Sequence, residues 1–192
     1  MADGMIGMLT LPLYYYFKDN EIPERSNTFL SHRYACYNVY ETADNKYISI
    51  GAVEPRFWRI LCNHLGVPEY FDHQYDDGRR EEIITFMQQT FKKKTRDEWM
   101  LELSELDVCF GPVLSIDEVV KDKHFFERKM IIKLQGKSNK EITVVGMPIK
   151  LSRTPGSYRN EPDDFGMSTN NILKEIGYSD DEISNFAQRG VI

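Results

Sequence analysis

The chain has 192 residues, 41% of them hydrophobic and 28% charged, and carries a formal net charge of −6. That is an ordinary globular composition, long enough for one large domain or for a small domain with a piece of a larger one. The acidic balance argues against nonspecific nucleic-acid binding, and no apolar run approaches the roughly 20 residues that span a bilayer, so neither nucleic acid nor membrane is expected as a partner.

In chain order, Met1 to Leu9 carry an early acid, Asp3, and no basic n-region, so they do not read as a secretion signal and a cytoplasmic location is expected. Met5 to Tyr16 are apolar and aromatic almost throughout; Pro12 makes this stretch read as a short helix running into an extended segment that wants a partner surface. Asp19 to Ser31 are polar with a proline, the signature of a connector. Tyr34 to Ile50 read as a hairpin whose Asp44-Asn45 turn suits residues that tolerate left-handed backbone. Glu54 then falls between a strand and a helix, because Pro55 fits a first helical turn, Phe57, Ile60, Leu61 and Leu65 form an apolar stripe, and Gly66 is a stop. Functional groups collect at such element ends.

Further along, Arg79 to Lys94 repeat the helical pattern through Ile83, Met87 and Phe91, and Thr95 with Glu98 forms a capping box for another helix. Lys92 to Lys94 with Arg96 read as a solvated helix end. Asp107 to Val113 read as a short buried segment broken by Gly111-Pro112, and Ser115 with Glu118 as a second capping box. Lys129 to Leu134 and Glu141 to Val145, rich in Ile and Val, predict a second hairpin around a Gly136 turn, followed by an irregular crossing from Met147 to Pro155. Thr169 to Ile176, stopped at Gly177, and a Ser179-capped helix through Gln188 with Gly190 beyond it close the chain. The order is mixed α and β.

The three cysteines, Cys36, Cys62 and Cys109, are odd in number and scattered, which predicts reduced, buried thiols rather than a disulfide frame. The histidines, His32, His64, His73 and His124, are not at ligand spacings, so no metal is expected; His64 reads as a structural residue on its helix. Tyr14 to Phe17 read as packing surface.

Five segments in this order carry a resemblance: Tyr40-Glu41-Thr42-Ala43-Asp44 with Tyr47-Ile48; Ile50-Gly51-Ala52-Val53-Glu54-Pro55 with Phe57-Trp58; Gly111-Pro112-Val113; Gly146-Met147-Pro148 with Leu151-Ser152; and Ile172-Leu173 with Ile176-Gly177-Tyr178-Ser179. On these the chain resembles the C-terminal half of the family III CoA-transferases, the group that includes alpha-methylacyl-CoA racemase, formyl-CoA transferase and the carnitine CoA-transferases. The Gly-Ala-x-Glu-Pro form at Gly51 to Pro55 is most similar to the racemase-like branch.

The resemblance implies an α+β chain, with residues 1–33 a helix and linker of a Rossmann-like large domain, 34–150 the small inserted α+β domain, and 151–192 a return to the large domain. It implies an interlocked homodimer with the active site between domains, a coenzyme A thioester (acyl-CoA) as substrate, and no metal. It also implies that the catalytic aspartate or histidine–aspartate half precedes this region, so that the chain reads as a fragment needing a missing N-terminal half. Glu54 matches a glutamate that racemase-like members set beside the catalytic histidine, where a carboxylate fixes the imidazole tautomer and raises its basicity; an acid there also suits a helix start. His32 and Arg33, near a family flap, are implied contacts for a CoA phosphate. The chain departs from the pattern at Ser31-His32-Arg33, where many members carry a glycine pair, and at Gly166-Met167-Ser168-Thr169, which lacks a histidine, although Ser168 suits an N-cap. The functional expectation is part of a CoA-thioester enzyme, a CoA-transferase or a 2-methylacyl-CoA racemase; the alternative is a noncatalytic interaction or assembly module derived from one.

Overall fold

A computed structural model describes residues 1–135, 141–158 and 164–192, which divide into two compact units, 1–115 and 116–192. The first unit opens with helix α1 (Ala2–Met8) and helix α2 (Thr10–Asp19), neither of which buries a residue. The extended segment expected after Pro12 is instead helical. Pro12 is the third residue of α2, where the amide has no partner within the helix, so its missing N–H costs nothing.

Strand β1 (Tyr37–Glu41) and strand β2 (Tyr47–Gly51) form the expected antiparallel hairpin, with Asn45 left-handed at φ 57°. Helix α3 (Pro55–Leu65) follows, closed by Gly66 at φ 74°, a conformation that glycine adopts without strain. A short 3₁₀ turn (Pro68–His73), helix α4 (Arg80–Phe91) and helix α5 (Arg96–Leu103) come next. The Thr95 capping box is formed: its hydroxyl accepts from the Glu98 amide while the Glu98 carboxylate accepts from the Thr95 amide. Strand β3 (Phe110–Val113) adds to β2, placing Pro112 opposite Ile48. The buried segment predicted there is a sheet edge, half-exposed at Phe110 and Gly111 and exposed at Pro112 and Val113.

Even-numbered residues of β1 and β2 turn inward, as a period of two requires. Tyr40, Ile48 and Ile50 meet Trp58 and Leu61 of α3, Ile83, Met87 and Phe91 of α4, and Trp99 and Leu103 of α5 in one buried cluster. The Phe91 ring stacks on Tyr40 at 5.0 Å and receives the edge of Trp99 at 4.9 Å. Two polar groups of this core are matched: the Tyr40 hydroxyl donates to the Ala35 carbonyl at 2.7 Å, and the Trp99 indole to the Phe91 carbonyl at 2.8 Å. At the outer side of β1 the Gln88 side chain bonds both backbone groups of Glu41, accepting at 3.4 Å and donating at 3.1 Å.

The second unit holds the short helices α6 (Ile116–Val119) and α7 (Lys123–Glu127), a hairpin of β4 (Ile131–Gln135) and β5 (Glu141–Val145), and helices α8 (Thr169–Glu175) and α9 (Asp180–Gln188). The Gly136 turn lies outside the described residues. The Ser179 capping box is formed, whereas Ser168 stands at the start of α8 in helical rather than extended backbone. Gly177 and Gly190 end their helices left-handed, at φ 102° and 66°. The mixed content bears out an α+β chain. Cys36 and Cys62 are buried free thiols, but Cys109 is exposed, because it precedes the edge strand rather than sitting under it. Among the described residues no helix is long and apolar enough to cross a membrane, and no group of three or more acidic, His or Cys side chains is arranged to hold a metal.

Candidate functional site

The strand β2 ladder ends at Gly51, whose amide donates to the Cys109 carbonyl at 2.8 Å; the Val53 amide then turns back onto the Gly51 carbonyl at 2.9 Å. This tight turn delivers Glu54 to the N-cap position of α3 in extended backbone, φ −71° and ψ 136°. Its carbonyl accepts from the amides of Phe57 and Trp58 and so starts the helix, yet its side chain makes no cap hydrogen bond. The carboxylate thus makes no capping hydrogen bond, although it stands at the helix start where the dipole favours an acid, and Glu54 is exposed.

The residue behind this turn is Gln74, which no motif or spacing in the sequence marks. Its side-chain nitrogen reaches the Ala52 carbonyl at 3.0 Å, the Val53 carbonyl at 2.7 Å and the Tyr75 hydroxyl at 3.0 Å. The Tyr75 hydroxyl itself donates to the Val53 carbonyl. Burial pushes the Tyr75 hydroxyl up to about 12, with the Cys36 thiol and then the Glu54 carboxylate adding to the shift. Tyr75 therefore stays protonated and a donor at neutral pH. Burial likewise raises the Cys36 thiol, against the opposing hydrogen bond from Gln74.

Tyr75 leads to the second group of predicted residues. Its ring meets Phe29 at 5.1 Å and Tyr34 at 5.3 Å, and the Arg33 guanidinium lies over Tyr34 at 5.5 Å. Arg33 is already engaged: it donates to both Asp77 oxygens, at 3.1 and 2.8 Å, and to the Asn27 carbonyl at 3.4 Å. Its hydrogen bond to Asp77 raises the guanidinium and holds the Asp77 carboxyl below the usual range. Arg33 and Tyr34 line a cleft with Tyr15, Glu21, Asn27 and Phe29. His32 diverges from this arrangement. It borders a hollow over the outward face of the sheet, beside Tyr37, Ser49, Gly51 and Gly111. At φ 70° it takes left-handed backbone, so the conformation a glycine would give freely is present here at a cost of about 1 kcal/mol. Arg33 and Glu54 thus lie at opposite ends of a Tyr34–Tyr75 pair, and His32 stands apart.

His64 is a structural residue. Its ring nitrogen lies 2.8 Å from Glu102, which also pairs with Lys94, and Lys94 sits 4.7 Å over the Trp99 ring. Burial alone would raise the Glu102 carboxyl, but the hydrogen bonds from Lys94 and His64 hold it down.

The CoA-transferase family III model matches residues 1–169. Alpha-methylacyl-CoA racemase of Mus musculus is 31% identical over 150 residues, 77% of this chain and 38% of the racemase. A formyl-CoA:oxalate CoA-transferase of Bradyrhizobium sp. is 29% identical over 160 residues, 80% of this chain and 37% of that protein. The crystal structure of a CAIB/BAIF family protein from Brucella suis superposes with a TM-score of 0.66 at 20% identity, over 91% of this chain and 46% of its own. The chain therefore spans less than half the length of these relatives, and under two fifths of the two enzymes. With a family model covering most of its length and a relative above 30% identity, the chain belongs to the CoA-transferase family III.

Proposed function

We propose that this chain forms part of an enzyme acting on coenzyme A thioesters, and that Glu54 is its contribution to the chemistry. The observation that carries the reading is the state of Glu54: held at a strand-to-helix junction, exposed, and without a capping hydrogen bond to the helix it precedes. A carboxylate placed this way can accept a hydrogen bond from an imidazole supplied by another polypeptide segment, fixing its tautomer and raising its basicity for removal of the proton alpha to a thioester carbonyl. The similarity to alpha-methylacyl-CoA racemase favours racemisation of a 2-methylacyl-CoA over CoA transfer between carboxylates. The substrate would be an acyl-CoA, the partners the large-domain half that carries the remaining catalytic groups and, in the intact enzyme, a second interlocked subunit, and the location cytoplasmic. No metal takes part in this reading. Arg33 would meet a CoA phosphate with the guanidinium hydrogens not used by Asp77 and the Asn27 carbonyl, and His32 would meet it from the hollow over the sheet.

The test is turnover by this chain mixed with a polypeptide supplying the family's preceding half. Exchange of the alpha proton of a 2-methylacyl-CoA in deuterated water, followed by NMR, reports racemisation; transfer of CoA to oxalate reports the alternative reaction. Glu54→Gln should lower alpha-proton exchange at least about tenfold while leaving folding unchanged. Unchanged exchange would remove Glu54 from the mechanism. A second reading, a noncatalytic assembly module, draws on α1 and α2, where Met5, Ile6, Met8, Tyr14 and Phe17 are all exposed. Turnover in neither assay with any supplied half would favour it.

A further inference from the structure

The peptide units on both sides of Glu54 are fixed by one closed circuit of hydrogen bonds. Upstream, the Ala52 and Val53 carbonyls leave the sheet ladder and are taken up by the Gln74 side chain, which is 7% exposed. Downstream, Trp58, one turn into α3, donates through its indole to the Tyr70 carbonyl at 2.9 Å. Tyr70 belongs to the 3₁₀ turn that ends one residue before Gln74, so the circuit closes on itself. The chemistry also dictates the orientation of the Gln74 amide: carbonyls only accept, so the nitrogen must face them and the amide oxygen cannot. A buried donor aimed at two main-chain acceptors next to an exposed, uncapped carboxylate is a rigid mount beneath a free functional group.

We propose that Gln74 is a positioning residue, setting the direction in which Glu54 leaves the sheet, with the Tyr75 hydroxyl as a second, weaker anchor. This rests on the reading of Glu54 given above. Removing the Gln74 donor frees the Ala52 carbonyl and leaves the Val53 carbonyl to the Tyr75 hydroxyl alone, which loosens the Val53–Glu54 peptide. A misplacement of about 1 Å costs on the order of a hundredfold in rate at a well-formed site, so a partial loosening should cost about tenfold.

The experiment compares Gln74→Met, Tyr75→Phe, Glu54→Gln and the Gln74→Met/Glu54→Gln pair. In the chain alone, NMR shifts and hydrogen exchange of the amides from Val53 to Trp58 report the mount without any activity. In the reconstituted enzyme, kcat and KM are measured separately. Gln74→Met should move those amides and lower kcat about tenfold with KM within about twofold, and Tyr75→Phe should lower kcat about threefold. In the Glu54→Gln background Gln74→Met should cost less than about twofold, because a positioning residue has nothing left to position. An equal loss of kcat in both backgrounds, or amides that do not respond to either single change, would overturn the proposal. If Glu54→Gln is itself without effect, the reading of Glu54 has failed, and the amide response alone decides whether Gln74 fixes the turn.

Discussion

Two glycines of the second unit meet different neighbours where a side chain would begin, one backbone and one a flexible thioether. A Cβ built on Gly146 would lie 1.9 Å from the Lys129 carbonyl oxygen and 2.9 Å from both the Lys129 carbonyl carbon and the Met130 Cα. A Cβ on Gly156 would also lie 1.9 Å from its nearest atom, but that atom is the Met147 sulfur, the far part of a flexible side chain. The backbone beside Gly146 cannot swing aside, because the Gly146 amide donates to the Met130 carbonyl at 2.7 Å and the β4–β5 ladder begins at Ile131 and Val145. Overpacking of about 1–3 kcal/mol and loss of a hydrogen bond of about 1 kcal/mol are offset by about 0.4–1 kcal/mol from a stiffer unfolded chain. Gly146→Ala should therefore destabilise the hairpin by about 2–3 kcal/mol. Gly156→Ala, which the thioether can evade by changing rotamer, should stay within about 0.5 kcal/mol. Amide hydrogen exchange is the assay: protection at Ile131, Val145 and Gly146 should fall about 30- to 140-fold in the first variant and hold in the second. Equal effects in the two variants, or a Gly146→Ala protein with native protection, would mean that the Lys129 backbone does not exclude a side chain at position 146.

Thr95→Ala removes both hydroxyl bonds of the α5 capping box and should cost about 0.5–2 kcal/mol in urea unfolding at an unchanged slope; no change would mean that the box does not hold the helix start. The Asp77 carboxyl, depressed by its hydrogen bond to Arg33, contributes stability that is present above the ordinary carboxylate range and lost as pH falls through its lowered folded value. The urea midpoint of the natural chain should accordingly drop more between pH 7 and pH 3 than that of Asp77→Asn, and parallel curves would count against this account. Glu54→Gln should change the unfolding free energy measured in urea by no more than about 0.5 kcal/mol, since the exposed side chain makes no cap bond; a larger loss would mean the carboxylate has a structural partner.

What the sequence conveyed about this fold was what is encoded within a few residues. The Asp44-Asn45 turn, the Gly66 stop, and the Thr95 and Ser179 capping boxes each need only a local pattern, and each forms as read. Strand β3 was legible only as a broken apolar segment, because its pairing with β2 joins residues such as Ser49 and Gly111 that lie 62 positions apart. Pro12 misled because proline is a breaker inside a helix but neutral in its first turn, and the sequence does not say where a turn begins. The placement of Glu54 followed from Pro55 and the hydrophobic stripe of α3. Its fixation by Gln74 did not, since a glutamine in a polar loop shows nothing of the two carbonyls it will meet 21 and 22 residues away. The engagement of Arg33 by Asp77 was hidden in the same way, across 44 positions.

The two rims of the β1–β2–β3 sheet bear on association. Because the Gly51 amide bonds the Cys109 carbonyl, the odd-numbered residues of β3 face β2, and the backbone of Pro112 points away from it. Proline has no hydrogen to offer there, so a strand from another molecule docking along that rim would find a gap in the row of donors. On the opposite rim, both outward groups of Glu41 are already spent on Gln88. Neither border offers an uninterrupted template at these positions, which guards a short, half-exposed sheet against edge-to-edge stacking into fibres.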